Sequence, residues 1–166
     1  TSTGQFDLGF PYLEYIDLSA LSNVTGIAGD FMFNCTGLKS IDISPLYNIP
    51  DLGEYFLQRC INIETIDFSN MVNITDINIR FMHYCSKIKK VDLTSAKKIL
   101  ATDAIKNGFL MDCPQLQEVN MGSIPATTMK VSSGRHQSFA LSTQFTTDPT
   151  SQPAYVNGIT IKGTYK

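Results

Sequence analysis

Four cysteines (Cys35, Cys60, Cys85 and Cys113) and four aspartates (Asp17, Asp42, Asp67 and Asp92) are the side chains whose type and spacing invite chemistry. Thiols form disulfides, bind metals or act as nucleophiles, and paired carboxylates move protons or hold a cation. The aspartates stand 25 residues apart throughout, and the cysteines 25, 25 and 28. Equal spacing of this kind distributes a side chain once per structural unit, whereas a catalytic centre gathers unlike groups at one place. No C-x-x-C pair occurs, and His83, two residues before Cys85, is the one histidine near a cysteine in sequence, so a zinc site is poorly supported. The two histidines, His83 and His136, join no G-x-S-x-G elbow, phosphate-binding glycine loop or H-E-x-x-H helix. An enzyme is therefore not expected, and neither a cofactor nor a metal is implied.

The elements that must position these residues are read from a six-residue core that recurs five times. It appears as Leu13-Glu-Tyr-Ile16-Asp17-Leu18 and again from Leu38, Ile63, Ile88 and Leu116, at intervals of 25, 25, 25 and 28 residues. Self-similarity at such a period marks stacked repeats. Apolar columns extend it: Leu21, Leu46, Met71 and Ala96; Val24, Ile49, Ile74 and Ile99; Ile27, Leu52, Ile77 and Ile105; and Phe31, Phe56, Phe81 and Phe109. No single coil can bury so many apolar side chains, so stacking is forced. The alternation within each core predicts a short strand, with five parallel strands centred near Ile16, Ile41, Ile66, Val91 and Val119. The spacing of Leu52, Phe56 and Cys60 predicts a short helix or a turn on the outer side.

At the N-terminal end, Phe6 and Phe10 occupy the Phe and Cys columns 25 residues upstream of Phe31 and Cys35, which predicts a partial first coil. The fourth coil takes three additional residues in an outer loop between Ile99 and Ile105. After Met121 the period is lost. The division expected is a repeat region over 1–124 and a cap or tail over 125–166. Asn157-Gly158 between β-branched residues predicts a hairpin, and hence a β-rich C-terminal cap. A linker from Thr143 to Pro153 is the competing reading.

These residues resemble leucine-rich repeats, and more narrowly the BspA-like bacterial surface-protein variety. The resemblance rests on the F-x-x-x-C-x-x-L-x-x-I-D-L-S run seen at Phe31 to Ser44, Phe56 to Ser69 and Phe81 to Thr94, and on the N-V-T or N-I-T step at Asn23 and Asn73. It implies an α/β repeat fold, a right-handed solenoid with a parallel sheet of about five strands. It also implies a cell-surface or secreted bacterial module that adheres to proteins or other cells. The cysteine-containing repeats of F-box proteins carry a second Cys after the strand, where this chain has Leu21, Leu46 and Met71.

Composition fits a folded domain, with 43% hydrophobic and 17% charged residues. A net charge of −2 and scattered basic residues offer no nucleic-acid footprint. No apolar run approaches a membrane span in length, and a monomer is expected. Parallel stacking turns the four cysteines inward, which favours buried free thiols over disulfides or metal ligation. The aspartates point the other way, beside an exposed column of Tyr15, Ser40, Thr65, Lys90 and Glu118. Local hydrogen bonds to the following turn are expected to satisfy each carboxylate, with a cation or a cationic partner as the alternative. The candidate binding surface is thus the strand face, with Tyr15, Asp17, Ser40, Asp42, Thr65, Asp67, Lys90 and Asp92. The expected partner is a host or cell-surface protein, or a glycan. A structural spacer or capping fragment of a longer repeat protein, and an intracellular interaction scaffold, are the alternative roles.

Overall fold

Each coil opens with a turn closed on its cysteine. The N–H groups of Leu38, Ile63, Ile88 and Leu116 donate to the carbonyls of Cys35, Cys60, Cys85 and Cys113, three residues back, at 3.0–3.3 Å. A second turn follows the core, with Leu46, Met71 and Ala96 N–H donating to Ile43, Phe68 and Leu93 carbonyls. In the first two coils it tightens into 3-10 helices, Ser19–Leu21 and Ser44–Leu46. These assignments come from a computed structural model that describes residues 9–101, 104–106 and 108–124, together with the backbone of 154–156 and 159–162.

The predicted columns form the interior. Leu46, Ile49, Leu52, Phe56, Ile74, Ile77, Phe81, Ile99, Ile105 and Phe109 all lie in one buried cluster with the four cysteines. Phe31, Phe56, Phe81 and Phe109 stack ring on ring at 5.5, 5.7 and 5.5 Å. Coil one is the exception, since Leu21, Val24 and Ile27 are only partly buried against the cluster.

Of the five expected strands, only two form at their predicted places: β1 (Lys90–Asp92) and β2 (Glu118–Asn120), parallel with Val91 opposite Val119. Around Ile16, Ile41 and Ile66 no strand forms. There the coils meet loosely on this face, as the bond from Lys89 N–H to the Glu64 carbonyl is 3.4 Å against 2.9 Å for Gln117 N–H to Lys89. The sheet instead continues beyond β2. β4 (Ile159–Lys162) pairs parallel to it with Ile161 opposite Val119, and β3 (Ala154–Val156) pairs antiparallel to β4. Val156 faces Ile159 across the predicted Asn157-Gly158 position, although those two residues lie outside the described ones.

Of the short helix or turn predicted before each cysteine, the turn forms, as a chain of alternating handedness. Asp30, Met32 and Asn34 have φ of +64°, +52° and +56°, as do their counterparts Tyr55, Leu57, Arg59 and Arg80, Met82, Tyr84. The intervening Phe31, Phe33, Phe56, Gln58, Phe81 and His83 are not left-handed. A left-handed non-glycine residue costs about 1–2 kcal/mol, so eleven of them need compensation. It comes from bonds between coils. Tyr55, Leu57 and Arg59 N–H donate to Ile79, Phe31 and His83 carbonyls at 2.8–3.0 Å, so one coil binds both neighbours. A helix would spend the same N–H groups within its own turn and leave the coils unlinked. The earlier spacing of four residues suits both patterns, because it is close to one helical turn and also an even number of alternating residues.

Candidate functional site

The aspartate column is built by its turns. Ser19, Ser44 and Ser69 N–H each donate to the carboxylate two residues earlier, Asp17, Asp42 and Asp67, at 2.8 Å. Thr94 donates to Asp92 through its N–H at 3.0 Å and its hydroxyl at 2.8 Å. These Asx turns bear out the expected local satisfaction and explain why a short acceptor recurs there. Asn120 in the fifth coil does the same work uncharged, accepting from Gly122 N–H at 3.1 Å. The bonds from Ser19 and Ser44 hold the Asp17 and Asp42 carboxyls below their ordinary values. For Asp92 burial acts the other way, but the Thr94 bonds, the Lys90 ammonium and the Asn120 amide together outweigh it.

The structure places Tyr15, Asp17, Ser40, Asp42, Thr65, Asp67 and Lys90 at the exposed surface, with Asp92 half-buried. Charges at the margins of this face are paired: Lys39 with Glu14 at 3.5 Å, Lys89 with Glu64 at 3.3 Å, and Lys90 with both Glu118 at 3.1 Å and Asp92 at 4.0 Å. Asp17, Asp42 and Asp67 have no cationic partner among the described residues. The strand face is therefore acidic over its first three coils and charge-matched over the fourth and fifth.

Asn23, Asn48 and Asn73 recur 25 residues apart, and the last two link coils. Asn48 and Asn73 Nδ2 donate to Ser22 and Tyr47 carbonyls at 3.3 and 3.0 Å. Lys98, which ends the series, donates to Asn73 Oδ1 at 2.6 Å.

All four cysteines are buried and free. Sequence reading treats them as small apolar groups, and the structure adds a reason for sulfur. Cys60, Cys85 and Cys113 thiols donate to the carbonyls of Met32, Leu57 and Met82, the central left-handed residues of the preceding coil, at 3.1–3.2 Å. Burial pushes the thiols up, Cys60 and Cys113 to about 12. The thiolate is the nucleophile, so these thiols are inert in the folded chain. Native protein is expected to react slowly with a thiol reagent, and denatured protein to expose four sulfhydryls. An intact mass lower by two hydrogens per pair would contradict this.

One buried polar cluster escaped the sequence reading. The column Phe33, Gln58, His83, Met111 is apolar at its ends, but Gln58 and His83 are 4% and 3% exposed. His83 Nε2 lies 3.0 Å from Asp112 Oδ2, and its Nδ1 lies 3.4 Å from Gln58 Nε2. Burial pushes the imidazole below its ordinary pKa, overcoming the Asp112 carboxylate. A neutral ring then donates from Nε2 to Asp112 and accepts at Nδ1 from the Gln58 amide. Gln58 Oε1 is left buried without a hydrogen-bond partner. The available signal was two polar residues in an otherwise apolar column.

Beside this cluster runs a groove of about 550 Å³. It extends from Asn34 and Thr36 at one end to Asp112 and Pro114 at the other, lined by the residues on either side of each buried cysteine, among them Arg59 and Tyr84. The Arg59 guanidinium lies over the Tyr84 ring at 5.7 Å, and His83 stacks on Tyr84 at 4.0 Å. Among the described residues no group of three metal-ligating side chains assembles, and no helix is long and apolar enough to cross a membrane.

Stacked coils that bury one face and present the rest in columns define a repeat protein, built to display surface residues at fixed intervals. The family follows from the chain itself: it belongs to the BspA type leucine rich repeat region family, whose model matches six copies over residues 9–142. That match runs past Met121, after which the sequence period is lost, and past the expected end of the repeat region at residue 124. No curated protein and no solved structure matches the chain.

Proposed function

We propose that this chain is a non-enzymatic, adhesion-type protein-binding module, displayed at a bacterial cell surface or secreted, which engages its partner through the strand face centred on Asp42 and Asp67. The observation that carries the proposal is the unbalanced acidic column. Asp17, Asp42 and Asp67 each commit one oxygen to a turn and have no counter-charge among the described residues, while charges around them are paired. Carboxylates stacked coil on coil repel, as Asp17 does Asp42. A basic patch on a protein partner relieves that repulsion and uses the rigidity that neighbouring coils give the centre of the face. Family membership supports the same reading, and the burial of every thiol removes the cysteines as candidate nucleophiles. Residues 125–166 enter as a C-terminal cap, supported by β4 adding to β2 and β3 closing the outer edge of β4.

The turn bonds dictate the test. Asp42→Lys would remove a turn acceptor as well as a charge, confusing stability with binding. Asn120 shows that Asn holds the same turn, so Asp42→Asn with Asp67→Asn removes charge alone. The double variant is expected to melt within about 2 °C of the parent while losing salt-sensitive capture of partner from host or envelope extract. Undiminished capture would move the binding surface off the strand face.

A further inference from the structure

We propose that the groove beside the cysteine column is a second binding site, distinct from the strand face, for an extended peptide segment carrying an acidic side chain opposite Arg59 and a basic side chain opposite Asp112. The charges provide the first argument. Arg59 meets the face of Tyr84 but no carboxylate among the described residues, and the Asp112 side chain is 34% exposed with one oxygen on His83. They stand two coils apart, with adjoining backbones bonded at 2.8 Å from Arg59 N–H to His83 and 2.9 Å from Tyr84 N–H to Met111. That separation is about 10 Å, the span of about three residues of extended polyproline II chain, whose side chains return to one face every third residue.

The buried polar cluster provides the second, independent argument. Packing alone would be served by apolar residues, as Phe33 and Met111 show in the same column. The chain instead buries Gln58 and His83, leaves Gln58 Oε1 unpartnered, and uses His83 to hold the Asp112 carboxylate at the groove. An unsatisfied buried acceptor is destabilising, so this arrangement is explained by what it positions. Tyr84 decides the chemical class. Its ring is already engaged by His83 at 4.0 Å and by the Arg59 guanidinium at 5.7 Å, and both compete with a sugar for its stacking surface. What remains is a long channel with separated opposite charges and apolar contacts from Ile61 and Pro114, which suits a peptide.

The test uses the full chain and four labelled hexapeptides in an alanine-threonine background, read by fluorescence anisotropy at low salt. One carries glutamate and lysine three residues apart; in the others both positions are glutamate, lysine or alanine. The mixed peptide is expected to bind at least about fivefold more tightly than the alanine peptide. Arg59→Gln and Asp112→Asn should each remove most of that preference. Asn still offers His83 an oxygen acceptor, and a melt matching the parent keeps the second variant interpretable. The Asp42→Asn, Asp67→Asn double variant should bind the mixed peptide as the parent does, since the two surfaces are separate. Equal affinity for all four peptides, an unchanged preference in both groove variants, or binding of neutral or acidic oligosaccharides in place of peptide would overturn the proposal.

Discussion

Replacing Phe56 with Ala is expected to lower unfolding free energy by about 3–5 kcal/mol. The ring is fully buried and sits between Phe31 and Phe81 at 5.5 and 5.7 Å, nearly parallel to both. Deleting it removes two stacking contacts and leaves a gap that the flanking rings cannot close. The coils that carry them are fixed to the Phe56 coil by backbone bonds from Leu57 N–H to the Phe31 carbonyl and from Met82 N–H to the Phe56 carbonyl, at 3.0 and 2.8 Å. Phe31, only partly buried, has less to lose, so Phe31→Ala should cost clearly less. Urea melts decide it: a loss below about 1 kcal/mol for Phe56→Ala would mean that the phenylalanine column does not hold the coils together.

Gly53→Ala is expected to cost about 2–5 kcal/mol, combining left-handed backbone strain with overpacking. Gly53 has φ +69°, and an added Cβ would stand 2.8 Å from the Ala28 carbonyl oxygen of the preceding coil. That neighbour is backbone, so relief requires the coils to part just where the Gly53 N–H is fixed on Asp51 Oδ1 at 2.8 Å. Gly26→Ala is the control. Nothing lies within 4 Å of its added Cβ, and the change should be neutral or slightly stabilising. If the two substitutions gave equal melts, close approach between coils would not be what selects glycine at residue 53.

The sequence revealed whatever depends on counting and missed what depends on backbone handedness. Phe56, Cys60 and Ile63 could be assigned to the interior because identical types recur in phase, and burial requires no knowledge of the path between them. That path stays open between a helix and a turn in the sequence, because apolar residues four apart fit a helix as readily as an alternating chain. Positive φ at Leu57 or Met82 leaves no mark in residue type, since neither is a glycine or an asparagine. The five-strand sheet was overdrawn for a related reason. A period-two pattern identifies extended residues, but a strand also needs neighbours at bonding distance, and before β1 the coils are not close enough on that face. At the candidate sites, the Asx turns follow from Asp preceding Ser or Thr by two residues. The link from His83 to Asp112 spans 29 residues and crosses the three-residue insertion, so no local pattern announces it.

The backbone bonds that run from each coil only to the next have a consequence for heredity. Tyr55 and Leu57 find their partners in the coil after and the coil before, never further away. A stretch of coding sequence one coil long, copied in frame, would therefore produce a new coil whose two faces already match those on either side. Length in such a chain is a trait that recombination can adjust in whole steps, leaving each existing coil to fold against a neighbour of the kind it already has.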